Sequence, residues 1–241
     1  MRIAEIFHSL QGEGKLAGIP STFIRISGCN LRCTWCDTPY ASWNPEGPEL
    51  SLDQILAQIP PSATHIVLTG GEPMMFKELV PLIAALKAQG KHITVETAGT
   101  LWLDNLPPAP HSIDLASISP KLSNSTPLTR ESGRFAQSHE KQRLNFNVLK
   151  TFATHDAIVE RQWKFVVASE PDLAEVETLL ATLNQTLPRP IPPGDVLLMP
   201  EGIDAQTILA RSQWLASICE QKCYRLSPRL HILLYGNTRG T

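Results

Sequence analysis

The sequence FIRISGCNLRCTWCDT, residues 23–38, joins an apolar segment to three closely spaced cysteines. Its first part is a short run rich in β-branched and aromatic residues, which is typical of a buried strand. Cys29, Cys33 and Cys36 follow directly, so they fall in the loop after that strand. Functional groups of parallel α/β proteins gather in such loops, at the carboxyl ends of the strands. The stretch therefore predicts both a fold and a site.

Similar apolar runs recur along the chain, and amphipathic helical patterns separate most of them. The predicted strands are residues 22–28, 65–70, 92–99, 113–119, 162–167 and 195–200, and the predicted helices are residues 51–59, 79–91, 170–185 and 204–223. Continuous apolar strands favour a parallel sheet covered on both faces, and strand–helix alternation favours right-handed βαβ units. Six such units are fewer than the eight of a closed barrel. We therefore predict an α/β fold, a partial parallel β/α barrel.

Two segments interrupt this alternation. Residues 122–147 are polar and show little periodicity, which predicts a surface excursion or a mobile loop before a helix near residue 147. The proline-rich residues 187–194 are typical of a stiff connector. Neither segment marks a domain boundary, so we predict one domain that spans residues 1–241.

The composition narrows the class of protein. A hydrophobic fraction of 42% and a charged fraction of 18% are typical of a soluble globular protein. The net charge of −2 gives no basic footprint, which argues against direct binding to nucleic acid. The longest apolar runs are too short to span a bilayer, and the first residues lack the apolar core of a signal peptide. The sequence thus predicts a cytoplasmic protein without membrane association.

The cysteine usage points to metal binding. Five cysteines, three of them clustered, do not resemble an even disulfide framework. Structural zinc needs four ligands, and catalytic zinc usually adds histidine or carboxylate ligands, yet His8 and His65 are remote in sequence. Three thiolates suit an iron–sulfur cluster in which one iron has no cysteine. A zinc-binding structural module remains the alternative, because soft thiolate sites accept either metal.

A second motif, TGGEP at residues 69–73, follows another predicted strand. Its glycines allow close backbone approach to a ligand, although a simple turn has the same composition. Together with the Cys-x3-Cys-x2-Cys spacing, it resembles the radical S-adenosylmethionine superfamily. The resemblance implies a [4Fe–4S] cluster on Cys29, Cys33 and Cys36, with S-adenosylmethionine on the fourth iron. It also implies an external electron donor such as flavodoxin or ferredoxin, whose electron releases a 5′-deoxyadenosyl radical from S-adenosylmethionine.

Within that superfamily, nearly the whole chain resembles the 7-carboxy-7-deazaguanine synthase family. The resemblance is carried by SLQGEG (9–14), CDT (36–38), VETAGT (95–100), SISPKL (117–122), WKFVV (163–167), LLMPEG (197–202) and LSPRLHILLYGNTRGT (226–241). It implies conversion of 6-carboxy-5,6,7,8-tetrahydropterin to 7-carboxy-7-deazaguanine with loss of ammonia, in queuosine or other deazapurine biosynthesis, and a homodimer. An activating enzyme for glycyl-radical proteins is the alternative within the superfamily, but the LQGEG and CDT motifs favour the carboxylated pterin.

The resemblance also assigns roles to individual residues. The implied substrate contacts are Leu10, Gln11, Gly12, Glu13, Arg25 and Thr69, and the implied S-adenosylmethionine contacts are Gly71, Glu72, Ser119, Met199, Pro200, Glu201 and Gly202. The planar fork of an arginine such as Arg25 suits a carboxylate. Thr38 matches the family's Mg²⁺ ligand, and Asp37 would support that site from behind. Asp37 as an ordinary helix N-cap is the alternative.

Several other residues have two interpretations. Lys121 and Lys164 lie near predicted strand ends, where they face either the site or solvent, and Lys121 is kept as a candidate because SPK matches the family. Cys219 and Cys223 share a face of the last predicted helix and are expected in the core. RLHILLYG reads as a final strand, with His231 as a structural histidine. The glycine-rich tail either covers the substrate entrance or frays.

Overall fold

The computed structural model describes all 241 residues, and its central feature is one eight-stranded β-sheet in sequence order. The strands are β1 (Ile3–Leu10), β2 (Pro20–Ile26), β3 (His65–Gly70), β4 (His92–Thr97), β5 (Ile113–Ile118), β6 (Ile158–Val167), β7 (Val196–Pro200) and β8 (Arg225–Leu226). β1 runs antiparallel to β2, and every later pair is parallel. No pairing joins β1 to β8, so the sheet forms the predicted partial barrel.

Helices cover the sheet between most of its strands. They are α1 (Pro39–Ser42), α2 (Leu52–Leu56), α3 (Leu79–Ala88), α4 (Ala136–Gln142), α5 (Phe146–Thr154), α6 (Glu170–Asn184), α7 (Ala205–Lys222) and α8 (Leu230–Tyr235). The four predicted helices correspond to α2, α3, α6 and α7. None of the helices is long and apolar enough to cross a membrane.

Burial explains why the central strands form. Ile66, Val67 and Leu68 of β3 have no exposed surface, since the sheet is covered on both faces. Leu82 and Ile83 of α3 are equally buried in the same core. Full burial of one such aliphatic side chain contributes about 1.5–3 kcal/mol relative to leaving it exposed. The continuous apolar runs of the sequence therefore correspond to the best buried part of the fold.

Local signals set the helix ends. At α2, the Ser51 hydroxyl accepts the Gln54 amide while the Gln54 side chain accepts the Ser51 amide, a reciprocal capping box. Asp204 accepts the Thr207 amide at the start of α7. α7 ends at Lys222, and the next residue, Cys223, caps it in a left-handed conformation with φ 56°. Its side chain is exposed, so the expectation of a core position holds for Cys219 and is wrong for Cys223.

The secondary structure at both ends of the chain differs from the sequence-based expectation. β1 was not predicted, and it pairs with β2 as an antiparallel edge strand whose residues are mostly half-buried. RLHILLYG forms helix α8 instead of a final strand. Short apolar runs fit either element, and here Leu233, Leu234 and Tyr235 face solvent while Ile232 is buried. A buried strand would have covered all of them.

Residues 122–147 form short 3-10 turns and helix α4, a structure that their polar composition did not indicate. This segment packs on the cysteine loop. The amide of Arg32 donates to His139 Nδ1 at 3.1 Å, and the amide of Thr34 donates to the Ser125 carbonyl at 2.8 Å. His139 is 2% exposed, because α4 is pressed against that loop. The segment thus acts as a wall behind the three cysteines.

Candidate active site

A cavity of about 700 Å³ opens at the carboxyl ends of the parallel strands. The predicted residues that line it are Leu10, Gln11, Gly12, Glu13, Arg25, Cys29, Cys33, Cys36, Thr38, Thr69, Gly71, Ser119, Met199 and Glu201. The lining also includes Lys121 and Lys164, the two lysines that the sequence placed either at the site or in solvent. Residues far apart in sequence therefore meet at one site. Three of the predicted residues, Glu72, Pro200 and Gly202, lie behind its surface.

The three clustered cysteines occupy one side of this cavity. The amide of Leu31 donates to Cys29 Sγ at 3.3 Å, and Cys36 Sγ lies 3.0 Å from the Ser42 hydroxyl. The Trp43 indole donates to the Cys33 carbonyl at 3.0 Å and fixes the middle of the loop. Burial raises the pKa of Cys29 and that of Cys33 to about 12. Both are therefore thiols at neutral pH unless a metal takes the place of the proton.

The donor set fits a multi-iron cluster better than one metal ion. All five cysteines are free, and Cys219 in α7 and Cys223 directly after it lie outside the cavity lining. No group of three or more His, Cys, Asp or Glu side chains is arranged to hold a single ion. Separate thiolates can each bind a different iron of one cluster, whereas tetrahedral zinc needs its ligands around one point. The residues thus fit a [4Fe–4S] cluster with one iron left for another ligand.

Arg25 offers an unoccupied donor pair. Its Nε lies 2.6 Å from Glu5 Oε1, and that oxygen also accepts the Tyr40 hydroxyl at 2.7 Å. Neither terminal nitrogen of Arg25 has a protein hydrogen-bond acceptor, although the side chain is only 16% exposed. A guanidinium fixed at one edge and open at the other is prepared for a bidentate bond to an incoming carboxylate.

The half-buried carboxylate of Glu96, near the end of β4, was not among the predicted site residues, and it joins two predicted substrate residues. The Gln11 side-chain amide donates to Glu96 Oε1 at 3.2 Å, and the Thr69 hydroxyl donates to Glu96 Oε2 at 2.9 Å. The Gln11 side-chain oxygen in turn accepts the Glu13 amide at 3.1 Å. Glu96 lies within the VETAGT motif at a strand end, which was the available signal.

Four charged residues form an ion-pair network in the cavity wall, and all of them except Asp37 are largely buried. Lys164 pairs with Glu13, and Arg229 pairs with both Glu13 and Asp37. Burial opposes ionisation of Glu13, but the charges of Lys164 and Arg229 outweigh it and hold the pKa of Glu13 well below its usual range. Lys164 therefore faces the cavity and not solvent. Asp37 is not an N-cap, because Thr38 occupies the position before α1 and makes no capping bond with its side chain.

Glu72 of the TGGEP motif is fully buried and does not line the cavity. Its carboxylate accepts the Thr97 hydroxyl at 2.7 Å, the Ala98 amide at 2.8 Å and the Met74 amide at 3.1 Å. Burial raises the pKa of this carboxyl. The side chain therefore braces the loop after β4. Gly71 is tightly confined, since a Cβ atom there would lie 2.0 Å from the Gly28 carbonyl oxygen.

Other side chains complete the lining. Lys121 Nζ donates to the Ser119 hydroxyl at 2.8 Å and lies 5.5 Å from the centre of the Trp35 ring, so Lys121 also faces the cavity. His231 lines the cavity as well, which its expected place in a strand did not indicate. A Cβ atom at Gly12 would lie 2.0 Å from His231 Nδ1, so only glycine lets these two segments meet.

The C-terminal tail covers the entrance. Arg239 Nε lies 3.1 Å from Glu5 Oε2, and a second Arg239 nitrogen donates to the Ala4 carbonyl at 2.9 Å. The guanidinium also pairs with Glu46 and stacks 4.0 Å from the centre of the Tyr40 ring. Residues 237–241 therefore form part of the cavity wall, and the tail is not frayed.

Comparisons with known proteins agree with this geometry. Residues 23–150 match the family model of the radical SAM superfamily. The 7-carboxy-7-deazaguanine synthase of Halobacterium salinarum is 43% identical over 99% of this chain and 92% of its own length, and that of Rhodopirellula baltica is 42% identical over 99% and 88%. The crystal structure of QueE from Escherichia coli superposes with a TM-score of 0.64 at 26% identity and covers 94% of this chain and 92% of its own.

A more distant structure shows the fold alone. Streptococcus suis SuiB bound to S-adenosylmethionine is 12% identical, with a TM-score of 0.52, and the match covers 85% of this chain and 50% of SuiB. The identity of 43% and the near-complete coverage in the first relative are decisive at the family level. The chain belongs to the radical S-adenosylmethionine superfamily and, within it, to the 7-carboxy-7-deazaguanine synthase family.

Proposed function

We propose that this chain converts 6-carboxy-5,6,7,8-tetrahydropterin to 7-carboxy-7-deazaguanine with loss of ammonia. The main support for the proposal is that the three cysteines and Arg25, with its two free terminal nitrogens, line the same cavity. The substrate segment, the cysteine loop and the C-terminal tail all line that cavity. Residues 1–241 therefore work as a single catalytic domain.

Arg25 binds the substrate carboxylate. Its two free terminal nitrogens form parallel hydrogen bonds to the two carboxylate oxygens, and Glu5 holds the guanidinium in place from the other edge. The polar edge of the heterocycle meets Gln11, Glu13 and Thr69, with Leu10 and Gly12 beside them. Glu96 orients Gln11 and Thr69 through its two oxygens, so the donors are fixed before the substrate enters.

Cys29, Cys33 and Cys36 hold the cluster. When bound, the [4Fe–4S] cluster and S-adenosylmethionine supply a 5′-deoxyadenosyl radical, which abstracts a substrate hydrogen atom. The protein positions the nucleotide and excludes water from it. Gly71 brings backbone close without a side chain, and the Ser119 hydroxyl offers a polar contact that Lys121 orients.

The turn after β7 completes the S-adenosylmethionine site. Met199 and Glu201 line the cavity, whereas Pro200 and Gly202 shape the turn from behind. Glu72 contributes through the loop that it braces, because its carboxylate is already satisfied by three hydrogen bonds. Its role is thus to position backbone and not to contact the nucleotide with its side chain.

Thr38 supplies a hydroxyl ligand to Mg²⁺. A hard cation that keeps several waters needs few protein oxygens, and the substrate carboxylate can provide another. Thr38 lines the cavity beside the cysteine loop, so its hydroxyl would be available to hold the cation there. Asp37 supports this position indirectly, since Arg229 holds its carboxylate.

The partners follow from this chemistry. The substrate is a small molecule, and an external one-electron donor, flavodoxin or ferredoxin, reduces the cluster. We place the protein in the cytoplasm, where free thiols persist, and expect a homodimer as in the family resemblance. The product enters queuosine synthesis for transfer-RNA modification, or another deazapurine route.

Product analysis tests the proposal. Cluster-loaded protein is incubated without oxygen with the carboxylated tetrahydropterin, S-adenosylmethionine, Mg²⁺ and a reductant. Mass spectrometry should detect 7-carboxy-7-deazaguanine, and the reaction should fail with a tetrahydropterin that lacks the 6-carboxyl group. Cleavage of S-adenosylmethionine without this product would contradict the assignment and favour another superfamily substrate, such as a protein.

A further inference from the structure

Arg229, immediately before α8, contacts three separate loops of the site. Its Nε lies 3.3 Å from Glu13 Oε1, another nitrogen pairs with Asp37, and a third donates to the Gly202 carbonyl. The side chain is 5% exposed. Each loop belongs to a different binding function proposed above, namely those of the substrate, Mg²⁺ and S-adenosylmethionine.

The backbone around Arg229 is held firmly. The amide of Leu230 donates to the Gly12 carbonyl at 2.8 Å, and the amide of Gly14 donates to the Ser227 hydroxyl at 2.9 Å. The amide of Ser227 donates to the Leu198 carbonyl at 2.8 Å. The backbone that carries the guanidinium is therefore already hydrogen-bonded to the substrate loop and to β7. It is not a flexible surface arginine.

The charge balance shows what Arg229 alone supplies. Lys164 neutralises Glu13, but Arg229 is the only cation that pairs with Asp37. Without it, the Asp37 carboxylate would stand unpaired in the cavity wall, next in sequence to Thr38. A free Asp37 carboxylate would no longer hold the loop that carries Thr38 in place, and it would repel the substrate carboxylate.

We propose that Arg229 is a positioning residue that locks the loops of Glu13, Asp37 and Gly202 into one arrangement, so that the three binding sites form together. It acts through these groups, and the inference rests on the proposed function for the identity of the ligands. Only arginine suits the role, because a lysine at the same place presents one point charge in place of a planar fork with several donors.

Hydrogen exchange of the cluster-loaded protein tests the locking directly, without reference to any substrate. Arg229→Gln should speed amide exchange about 10-fold in all three segments, residues 10–14, 36–39 and 200–203, since each loses a charge-assisted hydrogen bond. Arg229→Lys should give an intermediate change, and it guards against a glutamine variant that fails to fold. A change confined to one segment, or none, would overturn the proposal.

The chain offers a matched control. Lys87 Nζ donates to both carboxylate oxygens of Asp114 at 2.8 Å, its side chain is 16% exposed, and neither residue lines the cavity. Lys87→Gln loses charge-assisted hydrogen bonds of the same kind elsewhere in the fold. It should leave the three segments at wild-type exchange rates, and equal effects from both variants would show general destabilisation and overturn the proposal.

Kinetics separate positioning from bulk stability. Arg229→Gln should raise the KM for the pterin and the Mg²⁺ concentration for half-maximal rate about 10-fold each, with a smaller fall in kcat. Asp37→Asn should raise the Mg²⁺ requirement, and the double variant should be no worse than Arg229→Gln. Independent, multiplying effects would contradict action through Asp37. If wild-type protein leaves the pterin unchanged, the function fails, while the exchange data still decide the role of Arg229.

Discussion

Gln11 and Glu96 are 85 positions apart in the chain, yet the Gln11 amide donates to Glu96 Oε1 at 3.2 Å inside the cavity. The second Glu96 oxygen accepts the Thr69 hydroxyl at 2.9 Å. One carboxylate thus fixes donors from the segment after β1 and from the end of β3. The proposed substrate side of the site therefore depends on Glu96, whose place in the VETAGT motif at a strand end was its only signal in the sequence.

Glu96→Gln should weaken substrate binding selectively. The amide replaces one acceptor oxygen with a donor, so either Gln11 or Thr69 loses its partner, at a cost of about 1–3 kcal/mol. We expect the KM for the pterin to rise roughly 10-fold or more, with unchanged affinity for S-adenosylmethionine. Glu160→Gln, at an exposed position of β6, is the control. A loss of S-adenosylmethionine affinity with normal KM would contradict this role of Glu96.

Cys33→Ser should abolish turnover and lower bound iron and sulfide, because two remaining thiolates hold the cluster poorly. Cys223→Ser is the matched control, since that thiol is exposed at the end of α7. Iron and sulfide assays after anaerobic reconstitution measure both variants. Near wild-type iron content and activity in Cys33→Ser would refute the assignment of Cys33 as a ligand.

His139→Ala should make the cluster more labile without touching a cluster ligand. The imidazole accepts the Arg32 amide at 3.1 Å and bonds the Ser125 hydroxyl at 2.9 Å, so its loss frees the middle of the cysteine loop. Two lost hydrogen bonds predict roughly 3- to 10-fold faster iron release to a chelator. His111→Ala, at an exposed site, should release iron at the wild-type rate. Equal rates for both variants would rule out the supporting role of residues 122–147.

His65 should make folding stability fall in mild acid. Burial, with the neighbouring His92, lowers the pKa of His65 to about 4, whereas an unfolded histidine titrates near 6.5. Because the unfolded state binds the proton first, stability is lost as the pH falls from about 6.5 toward 4, by about 2 kcal/mol between pH 7 and pH 5. Urea unfolding of wild type and His65→Gln at both pH values measures the difference, and identical pH slopes would contradict it.

The sequence was sufficient for strands β2 to β7 and for the cysteine loop, because both depend on local patterns. Continuous apolar runs such as Ile66 to Leu68 can only be satisfied by burial on both faces. β1 was not predicted, because apolar and polar residues alternate imperfectly in this half-exposed edge strand. Its last residues also belong to the SLQGEG motif, which suggested a functional role instead of a strand. Helix α8 was not predicted, because its six residues, five of them apolar, fit a strand equally well.

The motifs of the candidate site could be predicted from the sequence, but the ion pairs and hydrogen bonds that join them could not. Arg229 and Asp37 are 192 positions apart, and no local sequence pattern indicates that they form an ion pair. Lys164 was ambiguous for the same reason, since its partner Glu13 lies 151 positions away. The inward turn of Glu72 depends on Thr97 and Ala98 of a neighbouring strand end. Long-range pairing of this kind follows from the fold and not from residue spacing.

The proposed function requires a cluster in which three irons are held by Cys29, Cys33 and Cys36 and one iron has no protein ligand. Mössbauer spectroscopy of protein loaded with ⁵⁷Fe, before and after addition of S-adenosylmethionine, tests this most directly. We predict that one iron in four changes its signal on addition while the other three stay the same. Four irons with equivalent signals that S-adenosylmethionine leaves unchanged would contradict the proposed function. A protein that binds one zinc and no sulfide would contradict it as well.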